Sequence, residues 1–573
     1  RCDKPWMNGN IRRLIAQRCQ ALNVNDKALV RHLQSVIQRE MRFAKSCYAK
    51  SLEKSFNDKP AEAWKSLKSV LMLNSNDAGC QFDANELNQF YNRFDKPFDC
   101  CTVVLPDICD TSDFFSIDDV YFVLKSTNTR KSQGPDNIPP KLLKAAARVI
   151  AKPVQTIYNN SIRLATFPQC WKSANIKPIP KCKAPQHIKD FRPIALTSTL
   201  AKCFERLTVK YFQPLVTDTR QFAYKQNNST EDAFILLMDT ISEHLDLNAQ
   251  NYVRGVFIDF SSAFNTISPT ILIEKLKQTD LHPNLINWIY SYLCNRTQRV
   301  ISQINTSDWI TSSTGSPQGC VLSPILFSIY VDEMGKSETT NSVSFIKYAD
   351  DTLVLEKLNQ HSTSSMQNVM TTLHSWCNER DLILNTTKTK EILFTNTKHN
   401  PDPPEITIND TPLERVEAYK YLGTTITNKL KFHRNTELLI KNARKKLFIM
   451  RKLRFLGTSD QLALTCYRTF IESGMLHHLT AIYSHLSEKE KGDLMYITTI
   501  ASKLANTTLP SIKTTVAGRV KTKVLRMVTS SQSPVLTLDT LPSGRYRTLK
   551  HRTNLRKLCF RNVAAKVLND IFF

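Results

Sequence analysis

The sequence predicts an α+β protein with more than one packing unit, and three observations lead to that prediction. The chain has 573 residues, which is too many for a single hydrophobic core. From Ser126 to about Ile426, helical patterns and short apolar strands alternate without a fixed order. After about Lys429 the composition becomes strongly basic and helical. A mixed region followed by a helical one is therefore expected.

The charge balance of the chain points to a polyanionic partner. Lysine and arginine number 77 against 51 acidic residues, which gives a net charge of +26. An excess of this size favours nucleic acid as the partner, although a solvated basic surface without a partner is the alternative.

Cysteine usage and hydropathy indicate the compartment. The 15 cysteines are scattered and show no Cys-x2-Cys spacing, so we expect reduced thiols that mostly fill the core rather than zinc ligands or disulfides. No apolar run approaches the roughly 20 residues that cross a bilayer, and the first residues lack a signal-peptide pattern. A soluble intracellular protein without a membrane partner is expected.

The elements before the chemistry-bearing motifs are mainly helical. Residues up to about 110 are polar and helical, and nothing in them indicates chemistry. Lys131 to Asp136 reads as a loop that precedes a helix from Pro140 to Ala151. Val256 to Ile258 is a short continuous apolar run, as expected for a buried strand.

An aspartate pair lies at the turn of a predicted hairpin. Val343 to Ile346 and Leu353 to Leu355 read as its two arms, with Ala349 to Thr352 at the turn. At such a turn the carboxylates of Asp350 and Asp351 can both lean toward one ligand. A pair of this kind is also common as a plain solvated turn, so its meaning depends on the residues around it.

A third carboxylate gives the pair its meaning. Asp259 follows the buried strand directly and is expected at the edge of the core, facing a cleft. With Asp350 and Asp351 it supplies the anionic oxygen ligands that Mg²⁺ prefers. Two such ions, about 3.5–4 Å apart, serve in-line phosphoryl transfer, and Mn²⁺ is an alternative ion. Three close carboxylates are costly without metal, so the trio favours a catalytic metal site.

A turn and a helix lie between these carboxylates in the sequence. Ser323 and Pro324 form a good N-cap and N1 pair, so a helix is predicted to start there and run through Tyr330. Gln318 and Gly319 belong to the turn ahead of it, where glycine permits close approach of a ligand. A plain loop before a core helix is the alternative.

The basic segment after Lys429 contains an amphipathic helix. Its apolar stripe is Leu439, Ala443, Leu447 and Met450, and lysines and arginines fill much of the remaining surface. Such a helix suits a nucleic-acid backbone, but an ordinary surface helix fits equally well. Beyond about Ser511, the Ser/Thr-rich basic sequence suggests a loosely packed tail.

Taken in order, these motifs resemble the reverse transcriptases of non-LTR retrotransposons, the LINE class. The start of the chain also resembles jockey-like and chicken-repeat-like members of that class. The similarity extends from about residue 120 to 430. Its blocks are Gly134-Pro135-Asp136, Trp171-Lys172 with Pro178-Ile179-Pro180-Lys181, Asp190-Phe191-Arg192-Pro193-Ile194, Gln221-Phe222-Ala223-Tyr224 with Ser229-Thr230-Glu231-Asp232, Phe257 to Phe264, Ser316-Pro317-Gln318-Gly319, Tyr348-Ala349-Asp350-Asp351 and Tyr421-Leu422-Gly423.

The resemblance implies a role for each matching position. Asp259 and Asp350 are expected as the principal metal ligands, with Asp351 as a third acidic member. The remaining implied roles are triphosphate contact for Lys181 and Arg192, the nucleotide pocket for Gln318 and Gly319, help with pyrophosphate release for Lys388, and the primer grip for Tyr421, Leu422 and Gly423. For Lys388 a solvated lysine is an equal alternative.

Phe264 is expected to set the sugar specificity. Five residues after Asp259, its ring would lie under the sugar of the incoming nucleotide and crowd a 2′-hydroxyl. Viral RNA-dependent RNA polymerases usually have an aspartate at that position and a glycine before the paired aspartates, and this chain has neither. A simple core phenylalanine is the alternative.

The resemblance also implies the fold, the domains and the reaction. It implies a right-hand polymerase with an N-terminal helical extension (1–115), fingers and palm (116–432), a basic helical thumb (433–515) and a basic tail (516–573). The implied reaction extends a 3′-hydroxyl DNA primer with deoxynucleoside triphosphates on an RNA template, by target-primed reverse transcription, in the nucleus and cytoplasm. The family's endonuclease is not found in this sequence, whether it precedes Arg1 in a longer product is left open, and no RNase H domain is expected.

Three rival functions remain open from the sequence. They are an RNA-dependent RNA polymerase, a catalytically dead retrotransposon-derived nucleic-acid-binding protein, and a reverse transcriptase of the group II intron or telomerase type. The sequence gives no indication of the oligomeric state.

Overall fold

The computed structural model describes residues 4–59, 62–64, 80–96, 113–182, 184–397, 401–529 and 538–572. The helices are α1 Gly9–Asn23, α2 Lys27–Asp58, α3 Ala84–Asn92, α4 Ile117–Lys125, α5 Pro140–Arg163, α6 Thr199–Phe212, α7 Thr230–Leu247, α8 Pro269–Lys277, α9 Pro283–Leu293, α10 Ser323–Tyr330, α11 Met366–Glu379, α12 His433–Leu456, α13 Asp460–Cys466, α14 Ser473–Met475, α15 Leu479–Ile482, α16 Glu488–Ala505, α17 Ile512–Thr529, α18 Asn554–Lys557 and α19 Phe560–Phe572. The strands are β1 Ser173–Pro180, β2 Phe191–Leu196, β3 Tyr252–Ile258, β4 Arg296–Val300, β5 Ile310–Ser312, β6 Val343–Tyr348, β7 Asp351–Leu358, β8 Lys390–Thr395, β9 Thr407–Ile408, β10 Thr411–Pro412, β11 Glu414–Arg415, β12 Ala418–Tyr421 and β13 Thr424–Thr427.

A central five-stranded sheet carries the candidate aspartates. Its strand order is β11–β8–β3–β7–β6. Strand β3 pairs antiparallel with β7 and β8, β7 pairs antiparallel with β6, and only the pairing of β11 with β8 is parallel. Every residue of β3 is buried. The predicted buried strand ending at Ile258, and the α+β class, are therefore confirmed.

The two faces of this sheet lie in two different hydrophobic cores. Val256 and Val354 point into a first core that contains residues of α4–α6 and α8–α11. Their neighbours Phe257 and Leu355 point into a second core with α7 and the helices from α12 onward. Because successive strand residues alternate between faces, a continuous apolar run is the pattern that such a doubly covered strand requires.

A second sheet lies beside the first. Its order is β2–β1–β4–β5, with β1 antiparallel to β2 and parallel to β4. Helix α3 packs on one face, where Leu87 and Tyr91 share a core with Ile176, Phe191 and Val300. The N-terminal segment is thereby built into the body of the protein.

The N-terminal helix α2 packs against the basic helix α12. Leu52 of α2 shares a small core with Leu453 of α12. The Lys45 ammonium lies 4.1 Å from the centre of the Phe455 ring, a cation–π distance. In α12 the predicted stripe is buried at Ala443, Leu447 and Met450, but not at Leu439.

The prediction of a loosely packed tail beyond Ser511 was wrong for the described residues. Helix α17 places Val516 and Val524 in the second core, and α19 adds Leu568. The predicted boundary at residue 515 therefore falls inside a helix. Apolar residues recur along α17 at helical spacing, but polar and basic residues between them mask this pattern in the composition.

Ion pairs and hydrogen bonds fix the C-terminal part to α7. The Lys523 ammonium lies 2.8 Å from a carboxylate oxygen of Asp232 and 3.2 Å from one of Glu231, and all three residues are buried. Further along α7, the Arg561 guanidinium pairs with Asp239 at 3.1 Å. We call these contacts, with those of Asp246 to Arg552 and Thr553, the C-terminal clasp.

Other expectations concern helix length, membrane crossing and cysteines. Helix α5 is longer than predicted because its apolar face continues beyond Pro153 with Val154, Tyr158 and Ile162 in the first core.

Within the described ranges, no helix combines the length and the apolar character that a membrane crossing needs. The cysteines described there are not joined by disulfides, and seven of them are buried.

Candidate active site

The three predicted aspartates meet at one end of the central sheet. Ile258, the last residue of β3, pairs with Thr352 of β7, so Asp259 lies opposite Asp351. Asp350 is in the two-residue turn between β6 and β7, and Asp351 opens β7. The predicted hairpin is confirmed, and its register brings carboxylates that are about ninety residues apart in the chain to one cleft.

The electrostatics of this cleft disfavour three ionised carboxylates. Burial raises the pKa of Asp350, and the charge of Asp259 raises it further, against the opposing effect of Arg192. Loss of solvent around the Asp351 carboxyl, with repulsion from Asp350 and Asp259, raises the pKa of Asp351 to about 6. Although the Asp351 residue as a whole is exposed, its carboxyl group faces like charges. A cation in the cleft would relieve this repulsion.

The hairpin turn is held by Gln221, for which the sequence indicated no role. Ala349 has a φ of 57°, a left-handed conformation that non-glycine residues seldom adopt. The side-chain oxygen of Gln221 accepts hydrogen bonds from the N–H groups of Ala349, at 2.9 Å, and Ala223, at 3.0 Å. Phe222 continues the contact through a backbone bond to the Lys347 carbonyl. The partners are more than 120 residues apart, so no local pattern could reveal them.

The turn ahead of α10 is anchored by a serine inside the helix. Leu322, not Ser323, is the N-cap, and Ser323 is the first helical residue. The predicted cap was therefore wrong by one position, while the helix end at Tyr330 is confirmed. The Ser323 hydroxyl donates to the Pro317 carbonyl at 2.7 Å and accepts from the Ser316 hydroxyl at 2.6 Å, which ties the turn to α10.

Gln318 and Gly319 lie in this turn against strand β2. The Ala195 N–H donates to the Gln318 carbonyl at 2.7 Å. Gly319 has a φ of 109°, and a Cβ there would lie 3.2 Å from the Ala195 carbonyl oxygen, so glycine suits the position. The Gln318 amide donates to the side-chain oxygen of Asn265 at 3.1 Å. Asn265, which the sequence analysis did not single out, thus joins the turn to the segment after Asp259.

Phe264 lies between the Asp259 segment and helix α10. Its ring is half-buried and its centre lies 4.9 Å from that of Phe327, at an angle of 34°. Its carbonyl accepts from the Ser316 N–H at 2.8 Å. The ring therefore packs on α10, and the Phe264 backbone is bonded to the turn ahead of α10, at the position where a sugar-sensing residue was predicted.

The three predicted cations act on one another, and Lys388 is paired with Asp259. The Lys388 ammonium lies 3.6 Å from a carboxylate oxygen of Asp259. Burial lowers the pKa of Lys181, and the positive charges of Lys388 and Arg192 lower it further. Arg192 in turn acts on Asp350. Arg192 lies on β2, and Lys181 lies in the loop that joins β1 to β2. This sheet therefore presents positive charge to the carboxylate cleft.

Leu422 and Gly423 form the turn between β12 and β13, and Tyr421 is the last residue of β12. Leu422 and Gly423 both have positive φ, at 45° and 90°. The Tyr421 hydroxyl is buried and has no hydrogen-bond partner among the described residues. Burial, and then the charge of Asp351, raises the pKa of Tyr421. This turn therefore lies near the aspartates, and the exposed His477 contacts the Leu422 carbonyl at 3.0 Å.

The donor chemistry of the site fits a hard divalent cation. In the parts of the chain that are described, no group of three or more histidine, cysteine or acidic side chains is already drawn together around a common point. One oxygen of Asp259 is buried without a hydrogen-bond partner, and Lys388 approaches it only at ion-pair distance. An orphaned carboxylate oxygen beside two carboxyls with raised pKa is the donor set that Mg²⁺ favours.

Comparison with known proteins gives a family match over the same region. Residues 179–426 match the model of a family described as reverse transcriptase (RNA-dependent DNA polymerase). A probable RNA-directed DNA polymerase from transposon BS of Drosophila melanogaster is 30% identical over 55% of this chain and 36% of its own length. The RNA-directed DNA polymerase from the mobile element jockey, from the same species, is 25% identical over 65% of this chain and 42% of its own length.

Among solved structures, a telomerase from Candida tropicalis in complex with a fragment of telomeric RNA matches with a TM-score of 0.35 and 12% identity. That match covers 68% of this chain and 67% of the telomerase chain. A similarity of this size carries no conclusion about function.

The fold and the aspartate cleft define the class of the protein. The central sheet with its three aspartates falls within residues 179–426, which match the reverse transcriptase family of RNA-dependent DNA polymerases. Within that class the chain is similar to the RNA-directed DNA polymerases of jockey and other transposable elements of Drosophila. The chain spans 36% of the length of the transposon BS relative and 42% of the length of the jockey relative.

Proposed function

We propose that this chain is an RNA-directed DNA polymerase of a non-LTR retrotransposon, which extends a DNA primer on an RNA template with deoxynucleoside triphosphates. The observation that carries the proposal is the meeting of Asp259, Asp350 and Asp351 at one end of the central sheet, opposite the cations Lys181, Arg192 and Lys388. Nucleotidyl transfer needs both signs of charge in one cleft: carboxylates to hold metal ions, and cations to hold a triphosphate.

The three aspartates would hold the divalent cations, Mg²⁺ or in its place Mn²⁺. When bound, such ions lower the pKa of the attacking hydroxyl and neutralise charge on the leaving oxygen. The remaining work falls to the protein. Gln221 fixes the hairpin turn that carries Asp350, and the stiff β3–β7 pairing fixes Asp259 relative to it. The carboxylates are thereby positioned before substrate arrives, which is a general requirement of catalytic sites.

The cations would orient the triphosphate. Arg192 offers a planar fork that suits phosphate oxygens, whereas Lys181 and Lys388 act as mobile point charges. Gln318 and Gly319 would border the nucleotide, and the turn at Tyr421, Leu422 and Gly423 would support the primer end. The steric position of Phe264 favours deoxynucleotides.

Two finer features belong to the same proposal. The primer would be nicked chromosomal DNA and the template the element's own RNA, as in target-primed reverse transcription, with activity in the nucleus after synthesis in the cytoplasm. We assign fingers and palm to residues 116–432 and a basic thumb to 433–515. The two sheets within the first range and the basic helix α12 within the second support this division. The net charge of +26 supports a nucleic-acid partner.

Replacement of Asp350 tests the proposal directly. Purified protein would be given poly(rA) with an oligo(dT) primer, deoxynucleotides and Mg²⁺. Asp350→Ala should reduce primer extension on the order of a thousandfold, because several kcal/mol of charge stabilisation are lost, while binding of the primer–template stays within a few-fold. EDTA should give the same loss in the unaltered protein.

The exposed Asp280 offers a matched control. It lies in the loop between α8 and α9, and Asp280→Ala should keep normal activity. Retained synthesis in Asp350→Ala would contradict the metal-ligand assignment. Absence of synthesis in the unaltered protein, together with intact primer–template binding, would favour the catalytically dead nucleic-acid-binding alternative.

A further inference from the structure

An N-terminal segment outside the matched family region reaches the nucleotide side of the cleft. Residues 84–96 are attached to the β4–β5 hairpin by specific polar contacts. The Asn88 amide donates to the Ser307 hydroxyl and the Asp308 carbonyl, both at 3.0 Å. A carboxylate oxygen of Asp95 accepts from the N–H groups of Ser313 and Thr314, both at 2.9 Å. The segment is therefore fixed beside the strand that leads into the turn of Gln318 and Gly319.

Arg93 is the residue of this segment that contacts the loop after Asp259. Its guanidinium lies 3.8 Å from the centre of the Phe90 ring and 4.1 Å from that of Phe94. One nitrogen donates to the Phe90 carbonyl at 2.5 Å, and another donates to the Ser262 hydroxyl at 3.2 Å. Ser262 lies between Asp259 and Phe264 and has a left-handed backbone, with a φ of 58°. The aromatic rings orient the guanidinium, and Ser262 brings it to the segment that carries a catalytic aspartate.

The side chain also belongs to the group of cations described above. Burial is the largest effect that lowers the pKa of Lys181, and the positive charges of Lys388, Arg192 and Arg93 lower it further. Of the carboxylates in the described chain, Asp190 acts on Lys181 and Asp259 pairs with Lys388. The four positive charges of this group exceed the charge of the carboxylates beside it, Asp190, Asp259 and Asp350. Such a group is stable when a multiply charged anion joins it.

We propose that Arg93 is a further triphosphate-binding residue, contributed by the N-terminal segment, which together with Lys181, Arg192 and Lys388 holds the phosphates of the incoming nucleotide. The inference rests on the proposed polymerase function. Arg93 keeps guanidinium nitrogens beyond its two hydrogen bonds, and the planar group held by two rings is suited to phosphate oxygens. The segment would complete the nucleotide site from outside residues 179–426.

A binding measurement that needs no turnover tests this inference. A primer with a dideoxy 3′ end, annealed to an RNA template, forms a complex that the next correct deoxynucleotide stabilises in the presence of Mg²⁺. Its Kd would be measured for the full chain and for Arg93→Ala, Arg93→Lys and Arg148→Ala. Arg148 is exposed on α5, which packs against α4 and α9, so its loss removes equal charge without touching the cleft.

Arg93→Ala should raise the nucleotide Kd about tenfold or more, as expected for loss of one charge-assisted hydrogen bond to phosphate, equally for all four bases. Arg93→Lys should recover part of this loss, and Arg148→Ala should bind nucleotide normally. Inorganic pyrophosphate would be tested as a competitor, and its binding should weaken by a similar factor in Arg93→Ala. Affinity for the primer–template alone should not change.

Two results would overturn the inference. One is a nucleotide Kd for Arg93→Ala within twofold of that for Arg148→Ala. The other is weakened primer–template binding with unchanged nucleotide affinity, which would make Arg93 a support for Ser262 and the template instead. Extension by the unaltered protein is scored separately, so a failed inference with active protein leaves the proposed function intact. If the unaltered protein forms no nucleotide-stabilised complex, both the proposed function and the inference fail.

Discussion

The chemistry of this chain depends on a few side chains whose positions are fixed by residues far away in the sequence. Asp350 lies in a turn with a strained neighbour, Ala349, and Gln221 bonds the backbone of that neighbour. Gln318 is likewise bonded by Asn265. In both cases a side-chain amide, which can donate and accept at once, holds a loop that carries a functional group.

Phe264 gives a prediction at the scale of one residue. Its half-buried ring, packed on Phe327, should exclude a 2′-hydroxyl from the sugar position. Phe264→Val should therefore admit ribonucleotides and lower the preference for deoxynucleotides about tenfold or more, the range for contacts that differ by a small group. The measurement is the ratio of kcat/KM for the two kinds of nucleotide on the same primer–template.

Phe264→Tyr provides the comparison, because it keeps the ring and should keep the preference. Unchanged sugar discrimination in Phe264→Val would show that another residue is the gate.

At the scale of elements, buried polar contacts join the turn of β12 and β13 to helix α7. The two ring nitrogens of His478 lie 2.9 Å from the Thr424 hydroxyl and 3.0 Å from the Thr230 hydroxyl. Burial, with the charges of His477 and Lys523, lowers the pKa of His478 from 6.5 to about 3. The contact therefore requires a neutral imidazole.

This contact predicts a loss of stability in mild acid. Above pH 6.5 the imidazole is neutral in both the folded and the unfolded chain. Below that pH only the unfolded chain takes up the proton, so the free energy of unfolding falls by about 1.4 kcal/mol per pH unit from pH 6.5 toward 3. His478→Gln should remove this part of the pH dependence, whereas His361→Gln, at an exposed position, should not. Urea unfolding at pH 7 and pH 5.5 measures the change in the free energy of unfolding with pH. The same change in the unaltered protein and in both variants would contradict the prediction.

The C-terminal clasp gives a second prediction at this scale. Lys523→Met leaves Glu231 buried without its cation and leaves Asp232 with only the more distant Arg526, at 3.6 Å, which should cost about 3 kcal/mol of unfolding free energy. Lys521 lies two residues earlier, on the exposed face of α17. Lys521→Met removes the same charge and should lower the free energy of unfolding by less than about 0.5 kcal/mol. Denaturant unfolding measures both, and similar values would show that the clasp contributes nothing.

At the scale of the whole molecule, the excess of 26 positive charges predicts binding governed by phosphate contacts. Affinity for a primer–template should fall on the order of a thousandfold between 50 and 200 mM salt if about six phosphates are neutralised. Joint replacement of Lys441, Arg444 and Lys445 of α12 by glutamine should reduce the slope by about two to three units. The slope of log K against log salt is the measurement.

The matched control for this prediction removes three exposed basic residues of α5, Lys141, Arg148 and Lys152, in the same way. That variant should keep the full slope. A flat salt response of the unaltered protein, or equal slopes in both variants, would contradict the assignment of α12 as the nucleic-acid-binding helix.

The sequence by itself determined the strand that ends at Ile258, the hairpin at Asp350 and the helix to Tyr330, because each rests on a local apolar pattern bounded by turn residues. The order of its motifs also predicted the similarity to reverse transcriptases that is found over residues 179–426. Only the tertiary structure decided the roles of Gln221, Asn265 and Arg93, because their partners lie between 53 and 169 residues away and no local pattern records such a pairing. For the same reason the C-terminal helices were predicted to be a loose tail. The acidic face of α7 that holds them is distant in the chain, and only folding brings its carboxylates to the basic residues of these helices.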